Sequence, residues 1–327
     1  MELGEWLSRG LSLTWRYKSL WLFGVLAALG TGAPRLSGNF NFSFRTSTPP
    51  QPLPPGFPEA VRRWLEQNWP LVLLAILGLI AFSLLLQLLA LWAQGALILG
   101  AGEAAAGRSP QLGFLGRQAV ARFLRLIGIM VVLGAPGFLL TLILILGLVG
   151  GTLLLFLARQ EGARIAGLLL ALLAFFLALG CLLLLAAVMH LWSRLALRAA
   201  LLEDLPWIAA LRRGLQLGLR RIGALLLTWL VLDVGVLGVT EFLLSFLSVI
   251  PLLLWTGAAL AIFFGRGGPV EVSTMFRFGI ALIAGVLCLV LLSRALMAPI
   301  ITYAETVWTL AYRAWAGLPA GSAIRED

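Results

Sequence analysis

Six long apolar blocks recur along this chain, each entered through an arginine-bearing stretch whose apolar residues keep helical spacing. A run of roughly 20 such residues is what an α-helix needs to cross bilayer hydrocarbon. In lipid the backbone must satisfy its own hydrogen bonds, so blocks of this length are helices. A water-soluble globular fold is excluded, because 61% of residues are hydrophobic and only 12% charged. Soluble domains hold roughly 45–50% and 25%. The expected fold is all-α: a polytopic transmembrane helical bundle forming a single transmembrane domain. Its six spans fall into three parallel hairpin repeats, residues 1–105, 106–205 and 206–315. Each repeat is preceded by a cytoplasmic amphipathic interfacial helix.

The first span is predicted at residues 19–30, with Trp15, Tyr17 and Trp21 forming an aromatic belt at its entry. Arg16 and Lys18 before it, and the small residues after it, share the layout of a signal peptide. Its match to later parts of the chain favours a retained span. Residues 31–69 make an external polar loop, with a short strand at 37–44, an extended Pro-rich stretch at 49–58 and a short amphipathic helix at 59–69. The second span is 71–92, running on toward Gly100. A Gly/Ala/Ser link at 101–110 leads to an interfacial helix at 111–125. The third block, 126–158, should kink at Gly134–Gly137 around Pro136. The fourth is 166–190, continued to Glu203. The fifth, 222–264, would be about twice the hydrocarbon thickness as one straight helix. A crossing at 222–240 is therefore expected, with a break between Gly235 and Glu241 or at Pro251. The remainder should be tilted, re-entrant or interface-hugging. The sixth span is 276–297, followed by an amphipathic helix through Trp315.

A net charge of +10 would suggest nucleic acid in a soluble protein. Beside membrane helices it reads as arginines facing anionic headgroups, and nucleic acid is not an expected partner. With the N-terminus inside, 16 of the 24 Lys and Arg residues fall on the cytoplasmic side. The expected location is thus a bacterial cytoplasmic (inner) membrane with both termini cytoplasmic. The expected partners are membrane lipids, anionic on the cytoplasmic side, besides an unspecified membrane protein.

The repeat shows in matched segments. Leu7, Arg9, Gly10, Leu11, Leu13 and Arg16 coincide with Leu211, Arg213, Gly214, Leu215, Leu217 and Arg220, and the middle copy aligns Leu124-Arg125 with Leu219-Arg220. The even spans match at Leu91-Trp92-Ala93-Gln94, Leu191-Trp192-Ser193-Arg194 and Leu291-Leu292-Ser293-Arg294, and Glu103, Glu203 and Glu305 close the units. All copies start on the same side, so they are parallel, unlike the inverted repeats of many carriers. Leu20-Trp21-Leu22-Phe23-Gly24, Ala199 to Pro206, Ala209 to Gly214 and the stretch from Glu305 to Arg313 resemble a broad group of poorly characterised bacterial six-span membrane proteins. That group includes the membrane domain attached to some glycerophosphodiester phosphodiesterases. The soluble phosphodiesterase part has no counterpart here, so the resemblance implies a membrane fold and no catalytic residue.

Few residues are left for chemistry. Asp233 is the sharpest candidate, because twelve residues beyond Arg221 it would lie about 18 Å deep. An ionised carboxylate there must be protonated, paired or facing water. It reads either as a proton or cation relay, or as a packing residue bonded to a hydroxyl or to an arginine on a neighbouring helix. The absence of a second acid or histidine at that depth favours packing. His190, the only histidine, reads as a satisfied interfacial residue. Arg194 and Arg294 occupy matched repeat positions and read as headgroup anchors or caps, or else as an anion site. Arg122, Arg125, Arg220 and Arg221 are candidate lipid-headgroup contacts. Glu203 and Asp204 read as helix-start acids complementing the dipole and Arg212. Glu241 reads as solvated at the outer interface. Cys181 and Cys288 read as small core residues. No nucleotide, metal or nucleophile motif is present, so neither a cofactor nor a metal is expected. The leading function is a non-enzymatic scaffold or accessory in lipid or envelope processes. The alternatives are a small transporter or channel using Asp233, and an intramembrane lipid-acting enzyme.

Overall fold

The computed structural model describes residues 3–30, 57–157, 161–264 and 272–318. These are helical, without a strand among the described residues, and the strand expected at 37–44 lies outside them. In chain order the helices are α1 (Leu3–Arg16), α2 (Trp21–Gly30), α3 (Phe57–Ala105), α4 (Leu112–Ala121), α5 (Phe123–Leu157), α6 (Glu161–Leu202), α7 (Trp207–Arg220), α8 (Ile222–Trp229), α9 (Val239–Phe264) and α10 (Val272–Ala316). A short 3-10 turn, Lys18–Leu20, joins α1 to α2, and a π-helical stretch, Leu230–Gly238, joins α8 to α9.

Five helices are long and apolar enough to cross a membrane, in the regions Glu66–Ala105, Phe123–Gly151, Ala171–Leu202, Ile222–Ala259 and Arg277–Ala316. The expected first span gives only a shorter apolar helix, Lys18–Gly30. Large apolar side chains such as Leu74, Leu79, Phe138, Leu184, Leu254 and Ile283 stand exposed along the long helices. Water would not tolerate that many, and lipid does.

The elements are longer than the sequence spacing suggests. The helix expected at 59–69 is continuous with the second span through Pro70. The 45 residues of α10 likewise run through Pro299, and α5 runs through Pro136. The 49-residue α3 extends about 73 Å at 1.5 Å per residue, over twice a typical hydrocarbon thickness. Conversely, the helix expected at 111–125 divides at Arg122, so that α4 ends and α5 begins one residue later. The break expected between Gly235 and Glu241 corresponds to the π-helical stretch, which changes the winding without interrupting it. The helix then passes Pro251.

The chain forms two compact units. The larger joins Met1–Gly24, Trp92–Leu237 and Pro299–Asp327, and the smaller joins Val25–Leu91 and Gly238–Ala298. In the larger unit the ends of α3, α6 and α10 form the core, carrying Ala93, Leu97, Leu99, Leu195, Ala199, Val307 and Ala311. The three short helices α1, α4 and α7 pack on these ends. Gly214 of α7 sits so close to α6 that a Cβ would lie 2.8 Å from the Ala196 nitrogen. Gly10 of α1 packs on Val307 and Tyr303 of α10, and Gly116 of α4 packs on Trp92 of α3. Trp92 donates its indole N–H to the Gly116 carbonyl at 3.1 Å, and Trp192 donates to the Leu211 carbonyl at 2.8 Å. The last carbonyls of α3 accept from arginines, Arg9 on Ala105 at 3.2 Å and Arg313 on Gly102 at 3.1 Å, as the negative end of a helix favours. In the smaller unit Gly30 of α2 lies against Ala90 and the α3 backbone. Trp255 of α9 lies against Gly285 and donates to the Ala281 carbonyl at 3.2 Å.

Candidate functional site

The larger unit holds a group of charges inside its core. α6 presents Arg194 and Arg198 four residues apart, hence on one helix face. Their side chains are 2% and 0% exposed. Two carboxylates meet them, Glu305 from α10 and Asp233 from the π-helical stretch, at 5% and 7% exposure. Arg194 donates through Nη2 to Asp233 Oδ1 at 2.8 Å and through Nη1 to Glu305 Oε1. Arg198 donates to Glu305 Oε2 at 2.6 Å and to the Arg194 carbonyl at 2.7 Å. Gln94 of α3 donates to Glu305 Oε1 at 3.0 Å, and the Trp308 indole N–H donates to Asp233 Oδ2 at 2.9 Å. The Arg198 guanidinium also lies over the Trp308 ring at 5.8 Å. The two guanidiniums and two carboxylates balance in charge, which is what a dry interior requires of ions.

His190 stands at the rim, its side chain 27% exposed. Its Nε2 lies 3.2 Å from Asp233 Oδ1 and 3.3 Å from Arg194 Nε. A neutral imidazole nitrogen either donates or accepts, so Nε2 bonds one of these neighbours according to tautomer. Protonation would strengthen the contact with Asp233 and set a like charge beside Arg194.

Three of the residues singled out from the sequence thus converge: Asp233, His190 and Arg194. The expected lack of a second acid or histidine near Asp233 is corrected on both counts: α6 brings His190 to it, and Glu305 shares Arg194 with it. Arg194 is no headgroup anchor, since its burial leaves it no access to a lipid phosphate. Arg294 does not join this cluster. It pairs with Glu241 at 3.2 Å inside the smaller unit, each side chain 23% exposed. The expectation that Glu241 is solvated is corrected, since its carboxylate meets Arg294 and is only partly exposed. Glu305 and Arg198 escaped the sequence reading. Their signal was the four-residue spacing of Arg194 and Arg198, together with a Glu inside an otherwise apolar helix.

The candidate headgroup arginines divide. Arg122 donates to Asp204 Oδ1 at 2.8 Å and also to Gln118, and Arg125 meets the same carboxylate oxygen at 2.7 Å. Asp204 adopts a left-handed backbone, φ 54°, in the link between α6 and α7. Partial burial raises its affinity for a proton, but the two arginines outweigh this and hold it below the usual value of 3.8. Glu203 bonds Arg213 at 3.1 Å and accepts from the Tyr312 hydroxyl. Neither acid serves the start of α7, whose first turn holds no acid and whose N-cap is Pro206. Arg220 and Arg221 are exposed and have no carboxylate partner among the described residues. Cys181 and Cys288 are exposed on the apolar surface instead of packed in a core. Among the described residues no group of His, Cys, Asp and Glu could hold a metal ion. Set against family models, characterised proteins and solved structures, the chain matches none of them.

Proposed function

We propose that this protein is a non-enzymatic scaffold or accessory of a bacterial inner membrane, serving lipid or envelope processes. Six crossings (counting α2) would then form three parallel hairpin repeats with both termini cytoplasmic, and α1, α4 and α7 would be amphipathic helices at the cytoplasmic interface. The packing of α1 on α10, α4 on α3 and α7 on α6 supports such a cycle. In it Trp92, Trp192 and Tyr303 correspond, as do Gln94, Arg194 and Glu305, which replaces the sequence match of Arg194 with Arg294. The resemblance to six-span membrane proteins agrees with this layout.

The observation that carries the reading is the state of Asp233. Its carboxylate is bonded on both oxygens and almost wholly covered, as in a structural ion network and unlike a hydrated pathway. Flux assays on reconstituted vesicles test it, with no proton or cation movement above protein-free vesicles expected. Flux that Asp233→Asn abolishes in a folded protein would overturn it. One observation favours a second reading, a small transporter using Asp233: the partly exposed His190 touches the buried carboxylate and could hand it a proton. The same flux assay with His190→Gln decides between them.

A further inference from the structure

At three helix-to-helix turns in the larger unit one residue leaves both the helical and the extended backbone regions. The residue at the turn is Tyr17 (φ −111°, ψ 64°), Arg122 (φ −100°, ψ 5°) or Arg221 (φ −127°, ψ 33°). Each turn gathers two cations within four residues: Arg16 and Lys18, Arg122 and Arg125, Arg220 and Arg221. At the middle turn one oxygen of Asp204 lies between both guanidiniums, 2.8 Å and 2.7 Å away, and the backbone accepts a left-handed φ to bring it there. The middle turn therefore selects an anionic oxygen held by two cations, the geometry that also suits a phosphate.

No carboxylate fills that place at the outer two turns, among the described residues. Their surroundings select an amphiphile over a free anion. Leu219 and Ile222 flank Arg220 and Arg221 and are 65% and 55% exposed. Beside Arg16 and Lys18, Trp15 is 55% exposed with the Lys18 ammonium 6.0 Å from its ring, and Arg16 lies over Tyr17 at 5.7 Å. Exposed apolar groups beside paired cations fit a headgroup phosphate with its acyl chains alongside.

We propose that the α1–α2 and α7–α8 turns each bind the headgroup of one anionic phospholipid, and that Asp204 occupies the equivalent place at the α4–α5 turn. This rests on the membrane reading above and names the lipid class and its seats. The test is native mass spectrometry of the full chain in detergent, titrated with phosphatidylglycerol. Two retained lipids are expected. Arg220→Gln with Arg221→Gln should leave one, as should Arg16→Gln with Lys18→Gln. Asp204→Ala, which removes no cation, should add a third. An unchanged count in Asp204→Ala and in a double variant of unaltered helicity would overturn the proposal. Displacement of the lipids by excess inorganic phosphate would also overturn it, by showing a simple anion site. A chain that remains in the aqueous phase beside phosphatidylcholine vesicles would sink the membrane reading itself, which separates the two failures.

Discussion

The two units handle the charge within their helices in different ways. The larger buries two arginines and two carboxylates and leaves each many-fold bonded. The smaller holds the pair Glu241 with Arg294, 3.2 Å apart and partly exposed. The number of partners rises with burial, short of completeness: the Arg198 Nε is buried with no hydrogen-bond partner among the described residues. An ion inside packed side chains has nothing but the protein to replace its hydration, so every missing partner is felt. A pair at a helix surface tilts toward whatever polar matter lies near, and one contact serves.

The sharpest way to break this contrast is Arg194→Leu, which strands Asp233 and Glu305 together. It should cost about 3–5 kcal/mol, the range for removing one member of a buried ionic set. The variant should fail to accumulate in folded form, as read by thermal unfolding in detergent. A wild-type melting profile would show that the cluster contributes little. Next comes Gly214→Val, whose added carbons would meet the Ala196 backbone and force α7 from α6. The expected loss is about 1–3 kcal/mol, typical of overpacking. Gly223→Ala has open space and is the control.

Asp233→Asn should cost about 1–3 kcal/mol, because the amide can still accept from Trp308 while leaving a guanidinium under-compensated. Arg294→Gln in the smaller unit should cost less, near the roughly 0.6 kcal/mol average of interhelical membrane hydrogen bonds. If the second variant proves worse than the first, the link between burial and the number of partners fails. The smallest effect belongs to Asp204. Its folded-state pKa is depressed, so its contribution is present above about pH 3.8, the unperturbed value, and is lost as pH falls through the lower folded value. Because the carboxylate is half-exposed, screening leaves it a minor contribution. Asp204→Asn should flatten the acid limb of stability against pH only slightly, in unfolding curves collected across that range.

What could be read from the sequence was whatever lipid dictates. Apolar block lengths located the helices, and the rarity of charge in them picked out Asp233, His190 and Arg194. The contacts were not legible, because period and composition are local while Glu305 meets Arg194 across 111 residues. Glu305 was read as a terminal acid like Glu103 and Glu203, since all three follow apolar spans. Only packing separates it from them: Glu103 pairs with Arg108 five residues away, whereas Glu305 points into the core. Pro251, read as a possible break, misled in the other direction. Pro70, Pro136, Pro251 and Pro299 all lie inside continuous helices, where apolar surroundings leave the chain no better bonding than helix.

The π-helical stretch acts as a phase adjuster in an otherwise regular rod. Bonding from each residue to the fifth along turns the helix less per residue than α-winding does. Over the nine residues Leu230–Gly238 this changes the angular spacing of the side chains within the stretch itself. Asp233 lies within the stretch and meets Arg194, whereas Glu241 follows it in α9 and meets Arg294. Within the larger unit the looser winding carries Asp233 to both Arg194 and the Trp308 indole. It also makes Leu230–Gly238 a slack reserve of length: loss of one residue there could be absorbed by tightening to α-winding, whereas the same loss within α9 would turn Glu241 or its neighbours by a full helical step.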